Sequence, residues 1–179
     1  MSYDLTFKRG KNAPLSPKQR DALAAALCKI HRPLKLFKLN FAQIAKQLKI
    51  TEVAAREQFD NSELNDAKSG LQVNIFAKEA TVAIPFSLKP KQAKQTFAAI
   101  GKLGEAFTEA GFTCRDSQLG RKVNFEKDVD AMLDCYSTTV KELDEISDLS
   151  EADFAALIQA FMSQAEKKKK KKKVIQKGK

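Results

Sequence analysis

His31 is the one histidine of the 179-residue chain, and it follows Cys28 by three positions. On a helix that spacing puts a thiol and an imidazole on one face, the beginning of a metal site or of a Cys/His nucleophile. Both chemistries need more. Zinc takes four ligands, and no second pair of His or Cys follows, because Cys114 and Cys135 stand apart. A general base needs a partner within hydrogen-bond reach, and nothing in the sequence marks one for His31. The expectation is a non-enzymatic chain with no catalytic residue, no metal ligand and no cofactor. His31 then packs or faces solvent at a helix end.

Phosphate chemistry is read the same way. Neither GxxxxGK[ST] nor GxGxxG occurs. "IGKLGEAF" has the Gly-x-x-Gly spacing of a KH-type RNA clamp, yet it lies inside a continuous helical stripe. Gly101 and Gly104 are expected to let that helix pack closely on a sheet. The carboxylates of "FEKDVDAMLD" avoid the apolar positions and read as a solvated face.

Two basic features point toward polyanions. "FAQIAKQLKITEVAAREQF", 41–59, resembles a helix-turn-helix, with a helix before it and a hairpin after it, as in a winged helix. Lys29, Arg32, Lys35, Lys38, Lys46 and Lys49 lie between Ala22 and Thr51, a span with no carboxylate. Against a DNA-reading role, Lys49 holds the turn position that favours glycine, and Glu52 and Glu57 burden the second helix. The other feature is the C-terminal run Lys167, Lys168, Lys169, Lys170, Lys171, Lys172 and Lys173, followed by Lys177 and Lys179. Such a run cannot bury apolar area, so a disordered tail is expected. It gives salt-dependent, non-specific attachment to nucleic acid or another polyanion, without reading bases.

The net charge of +10 is mostly this tail. Residues 1–166 carry 23 basic and 22 acidic side chains, and within them 126–166 carries eleven carboxylates against two lysines. An acidic block between basic ones can neutralise either. Three cysteines without CxxC suit a reducing compartment. The start "MSYDLTFKRG" has no apolar signal core, and no apolar run reaches the ~18 residues of a membrane span. A cytoplasmic, bacterial-style protein with no membrane partner is expected, as a monomer or small homo-oligomer.

The elements that must position these residues follow from periodicity. Tyr3, Leu5 and Phe7 alternate with Asp4, Thr6 and Lys8, a half-buried strand. Ser16 caps a helix with Pro17 at its first position and Ala22, Leu23, Ala26, Leu27 and Ile30 as its stripe. "HRPLKLFKLNF" is partly extended. Short helices follow over "FAQIAKQLKI" and "TEVAAREQF", the second capped by Thr51. "LQVNIFA" and "ATVAIPF" form a hairpin joined at Lys78-Glu79, with "SELND" as a third strand and Pro85 at a strand end. Val73, Ile75, Val82 and Ile84 should face the core. A long helix from Pro90 stops at Gly111 and buries Ala93, Phe97, Ile100, Leu103 and Phe107. "FTCRDS" returns as a strand. Two helices close the chain, the first with Val129, Met132, Leu133, Tyr136, Val140 and Leu143 as its stripe. The second opens at Ser150 and carries Phe154, Leu157, Ile158, Phe161 and Met162.

Three stretches together, "SYDLTF", "ELNDAKSGLQVNIFAKEATVAIPF" and "GFTCRDSQLGR", resemble a group of small, uncharacterised bacterial proteins. Their pattern is a Tyr-Asp-Leu strand, a hairpin of the Gly-apolar-Gln-apolar type, and a Tyr-Asp-Pro-Gln-like segment. Here Asp116 and Gln118 match the last of these, while Arg115 and Ser117 depart from it. The resemblance covers residues 1–122. The group has no established activity, and by analogy some such small folds are immunity-type inhibitors of toxins. The segment Arg115, Asp116, Gln118 and Arg121 is then the expected partner-facing element.

Taken together, the sequence predicts an α+β fold: a small, mostly antiparallel sheet with helices packed on one face, two extra C-terminal helices and a disordered lysine tail. The expected divisions are 1–122, a helical pair 123–166 packed on it, and the tail 167–179. The favoured function is a non-enzymatic protein-binding module with an unknown protein partner. The alternative is a nucleic-acid-associated protein using the tail and the basic region 29–49.

Overall fold

Alternation becomes a sheet with one dry face. In the computed structural model, which describes residues 1–37 and 39–148, Tyr3, Leu5 and Phe7 of β1 (Ser2–Lys8) are buried, while Asp4 and Lys8 face solvent. The same period of two buries Leu64 of β3 (Ser62–Asn65), Val73 and Ile75 of β4 (Gln72–Ile75), Ala80, Val82 and Ile84 of β5 (Glu79–Pro85), and Cys114 of β6 (Thr113–Asp116). With β2 (Lys35–Phe37) and β7 (Arg121–Lys122) they form one antiparallel seven-stranded sheet in the order β2-β3-β4-β5-β1-β6-β7. The α+β class and the expected strand faces hold. The two-residue β7 was not anticipated, because Arg121-Lys122 shows neither alternation nor apolar content.

Helices cover the dry face. α1 (Pro17–Ile30) starts on a capping box: the Gln19 amide donates to the Ser16 hydroxyl, and the Gln19 side chain accepts from the Ser16 amide. α4 (Pro90–Glu109) begins on Pro90 and ends at Ala110, where Gly111 takes φ +82°, a left-handed value that glycine adopts without a Cβ penalty. Its buried row is the expected one, and it lies along β1. Phe97 meets the Tyr3 ring edge-on at 5.5 Å between centroids, and Phe107 lies 4.4 Å from Phe7. Aromatic pairs in this range add stabilisation beyond their buried area.

Three expectations change. The buried side of α1 is Arg20, Leu23, Ala24 and Leu27, whereas Ala22, Ala26 and Ile30 are exposed. The two leucines carry most of the available apolar area. Turning them inward also brings the buried Arg20 guanidinium to Asp60, with an Nη1–Oδ2 distance of 3.0 Å. The glycines of α4 admit the 125–129 segment rather than the sheet. A Cβ on Gly104 would overlap the Phe125 ring, and one on Gly101 would stand 3.0 Å from a Val129 methyl. Asp128 is not on a solvated face but largely buried, held by Arg121.

The chain divides into two compact units, Met1–Ser137 and Thr138–Lys179. The first holds the whole sheet, α1 to α4, including the short α2 (Phe41–Leu48) and α3 (Glu52–Gln58), and the opening turns of α5 (Val129–Ser147). Phe125, Met132 and Tyr136 are buried in it, so this unit extends past residue 122. The expected helix from Ser150, the lysine tail and Lys38 lie outside the described residues. Among the described residues no helix is long and apolar enough to cross a membrane.

Candidate functional site

A terminal strand with large exposed side chains is the most unusual surface of the first unit. β2 ends the sheet, paired on its inner side through Lys35–Asn65, Leu36–Leu64 and Phe37–Glu63, with no strand on its outer side among the described residues. Leu36 lies on the face shared with buried Leu64, yet it is 46% exposed, and Phe37 on the opposite face is 52% exposed. Natural sheets protect their edges by keeping the end strand short or charged. β2 has Lys35 but also two bulky apolar side chains. They line a groove of about 600 Å3 with Leu39, Phe41 and Ala42, whose wall also carries Asp21 and Glu52.

The platform behind this edge is firmly tied. At one end of β3, Arg20 makes a two-pronged ion pair with Asp60 and also donates to its backbone carbonyl at 2.7 Å. At the other end, His31 Nε2 lies 3.1 Å from Asp66 Oδ2. Asp66 also accepts from the Ser69 hydroxyl at 2.6 Å and the Lys68 amide at 2.9 Å. Burial pushes the Asp66 carboxyl up, but those donors and His31 outweigh it and hold it below its ordinary 3.8. No partner for His31 was visible in the sequence. Asp66 is 35 residues away, and the short turn that aims its carboxylate carries no local signal for the pairing. Ser69 bonds Asp66 rather than the imidazole, so the three do not form a nucleophilic relay.

The basic residues lie on the segments that precede and follow this edge in the chain. Lys29 is in the last turn of α1, Arg32 in the turn after it, Lys35 on β2, Lys46 in the last turn of α2 and Lys49 just beyond, all exposed. Lys49 adopts φ +56°, so a lysine does take the left-handed turn between α2 and α3. Asn40 and Thr51 cap the two helices, each accepting a backbone amide at 3.1 Å. The hairpin that would serve as the wing is β4–β5, but β4 is also paired with β3 and β5 with β1 inside the sheet. It is not a free arm able to enter a groove of DNA.

The segment expected to face a partner is divided by the structure. Asp116 is fully buried. It accepts the Tyr3 hydroxyl on one oxygen and the Gln118 and Leu119 amides, at 2.7 and 3.1 Å, on the other. Its burial has a plain cause, since β6 alternation turns Asp116 to the same side as Cys114. Burial, then the Asp116 charge, pushes the Cys114 thiol up to about 12, so it is not a poised nucleophile. Arg121 is occupied by Asp128, at 2.7 and 2.8 Å. That bond, with the Asn124 amide, holds the Asp128 carboxyl at about 2. Arg115 and Gln118 remain exposed. Among the described residues no three His, Cys, Asp or Glu side chains gather as metal ligands would.

No family model matches the chain, and none of the curated proteins or solved structures compared with it matches either.

Proposed function

We propose that this chain is a non-enzymatic protein-binding module that captures an acidic partner along β2. The observation that carries the reading is the half-exposed Leu36–Phe37 pair on an edge strand, next to exposed Lys35 and within a stretch, 22–51, that has no carboxylate of its own. An extended partner segment adds backbone hydrogen bonds to such an edge and places alternate side chains in the groove. The lysines steer and orient a negatively charged partner. An immunity-type inhibitor is one instance of this design, because blocking a toxin needs affinity and no chemistry of its own.

The test uses the full chain as bait beside Phe37→Asp. Proteins retained by each are identified, and the leading acidic one is purified and titrated directly. Affinity should fall about tenfold or more for Phe37→Asp, as for a central aromatic anchor. Slowed amide exchange at Lys35–Phe37 should appear in the wild-type complex. Equal affinity for both baits, or protection elsewhere, overturns the reading. A dimer of the chain itself that Phe37→Asp abolishes replaces the acidic partner with a second copy.

A further inference from the structure

At the opposite end of the sheet, on its uncovered face, we infer a binding site for the phosphate group of a small phosphorylated ligand. The register brings its residues together. Thr6 faces Arg115, Lys8 faces Thr113, and Arg115 faces Lys122 across β1, β6 and β7. Lys8, Arg115 and Lys122 are exposed and sit on neighbouring or diagonal positions of one face, within reach of a shared ligand for side chains this long. They line a groove of about 680 Å3 with Thr6, Thr113 and Ser117. No carboxylate lines it, and none of the three cations takes an ion-pair partner among the described residues. Arg121, also on the wall, is already neutralised by Asp128. Three cations with no ion pair among the described residues are the donor set of a phosphate site, the arginine offering a planar fork and the lysines point charges, while the Thr113 hydroxyl already donates to the Lys8 carbonyl at 3.2 Å.

The surroundings choose a compact ligand over a nucleic-acid strand. The groove has the volume of a small-molecule site. Along the same face, Glu79 stands opposite Lys8, Asp4 lies two residues from Thr6, and Glu63 sits on β3. A polyanion laid across the sheet would meet these carboxylates, whereas a single phosphate-bearing molecule stays among the cations. This site is independent of the β2 edge, and either can fail alone.

The experiment follows backbone amide resonances of the full-length protein during titration with inorganic pyrophosphate, inorganic phosphate and a single-stranded oligonucleotide at constant ionic strength. Pyrophosphate should shift Thr6–Lys8, Thr113–Arg115 and Lys122 saturably. Arg115→Gln should weaken that binding about tenfold or more while leaving the melting temperature unchanged. Shifts confined to residues 167–179, or unaltered by Arg115→Gln, overturn the site. Tighter oligonucleotide binding at the same amides, also lost in Arg115→Gln, overturns the small ligand and assigns the groove to nucleic acid.

Discussion

The Tyr3 hydroxyl donates to Oδ2 of Asp116, joining the second residue of β1 to the last residue of β6 inside the core. Both side chains are fully buried. The two carboxyl oxygens of Asp116 are met by the Tyr3 hydroxyl and by the Gln118 and Leu119 amides. Tyr3→Phe removes one donor and leaves that oxygen short of a partner, at an expected cost of about 1–3 kcal/mol. Chemical denaturation of the two proteins measures it, and an unchanged midpoint would show that Asp116 is satisfied without Tyr3.

The same pair sets an alkaline limit. Burial first, then the hydrogen bond to Asp116, pushes the Tyr3 phenol above its ordinary value of 10.0. The folded state thus holds the phenol proton more tightly than the unfolded chain. This contribution is fully present below the unfolded value and is lost as pH rises beyond it toward the folded one. Phenolate absorbance from Tyr3 should appear only with unfolding, and Tyr3→Phe should flatten the alkaline decline in stability. A phenolate titrating near 10.0 in the folded protein contradicts this.

Asp66 gives the acidic counterpart. Its folded value lies below the ordinary 3.8, so its contribution is present above the unfolded value and is lost as pH falls through the folded one. Asp66→Asn should destabilise the protein by about 1–3 kcal/mol at neutral pH, through weakened bonds to Ser69, Lys68 and His31. The gap between variant and wild type should narrow below about pH 4. A gap independent of pH would mean the carboxylate charge plays no part.

Gly104 has no room for a methyl group beside Phe125. Gly104→Ala gains up to ~1 kcal/mol in helix propensity but forces the ring aside, for an expected net loss of about 1–3 kcal/mol. Adding Phe125→Leu should recover part of the loss, and simple additivity in the double variant would argue against the contact.

Removing residues 167–179 takes away nine lysines. Affinity for generic DNA or RNA should fall sharply, and the slope of log K against log salt should shrink by roughly 0.7–0.9 for each phosphate no longer neutralised. A shortened chain that binds duplex DNA as tightly as the full chain would assign that binding to 29–49.

What the sequence disclosed depended on whether its signal was local. β1, β4 and β5 alternate strictly, Ser16 and Pro17 open α1, and Pro90 and Gly111 bracket α4, so these elements were legible. The orientation of α1 was not, because Arg20 turns inward only for Asp60, forty residues on. Tyr3 with Asp116 and Gly104 with Phe125 are likewise tertiary facts that no periodicity encodes. At the candidate edge the difficulty is reversed. Leu36 and Phe37 look like core residues, and only their place on a terminal strand leaves them exposed.

Every neighbouring pair in the sheet joins strands consecutive in sequence, except the two made by β1. β2 to β5 can assemble in chain order as a four-stranded meander, and β6 with β7 as a hairpin. Neither block closes the sheet until Ser2–Lys8 lies between Glu79–Pro85 and Thr113–Asp116. The strand synthesised before all the others thus waits longest for its second neighbour, a high-contact-order closure that slows folding. Until then β5 and β6 present bare inner edges, and β1 acts as the clasp that joins them.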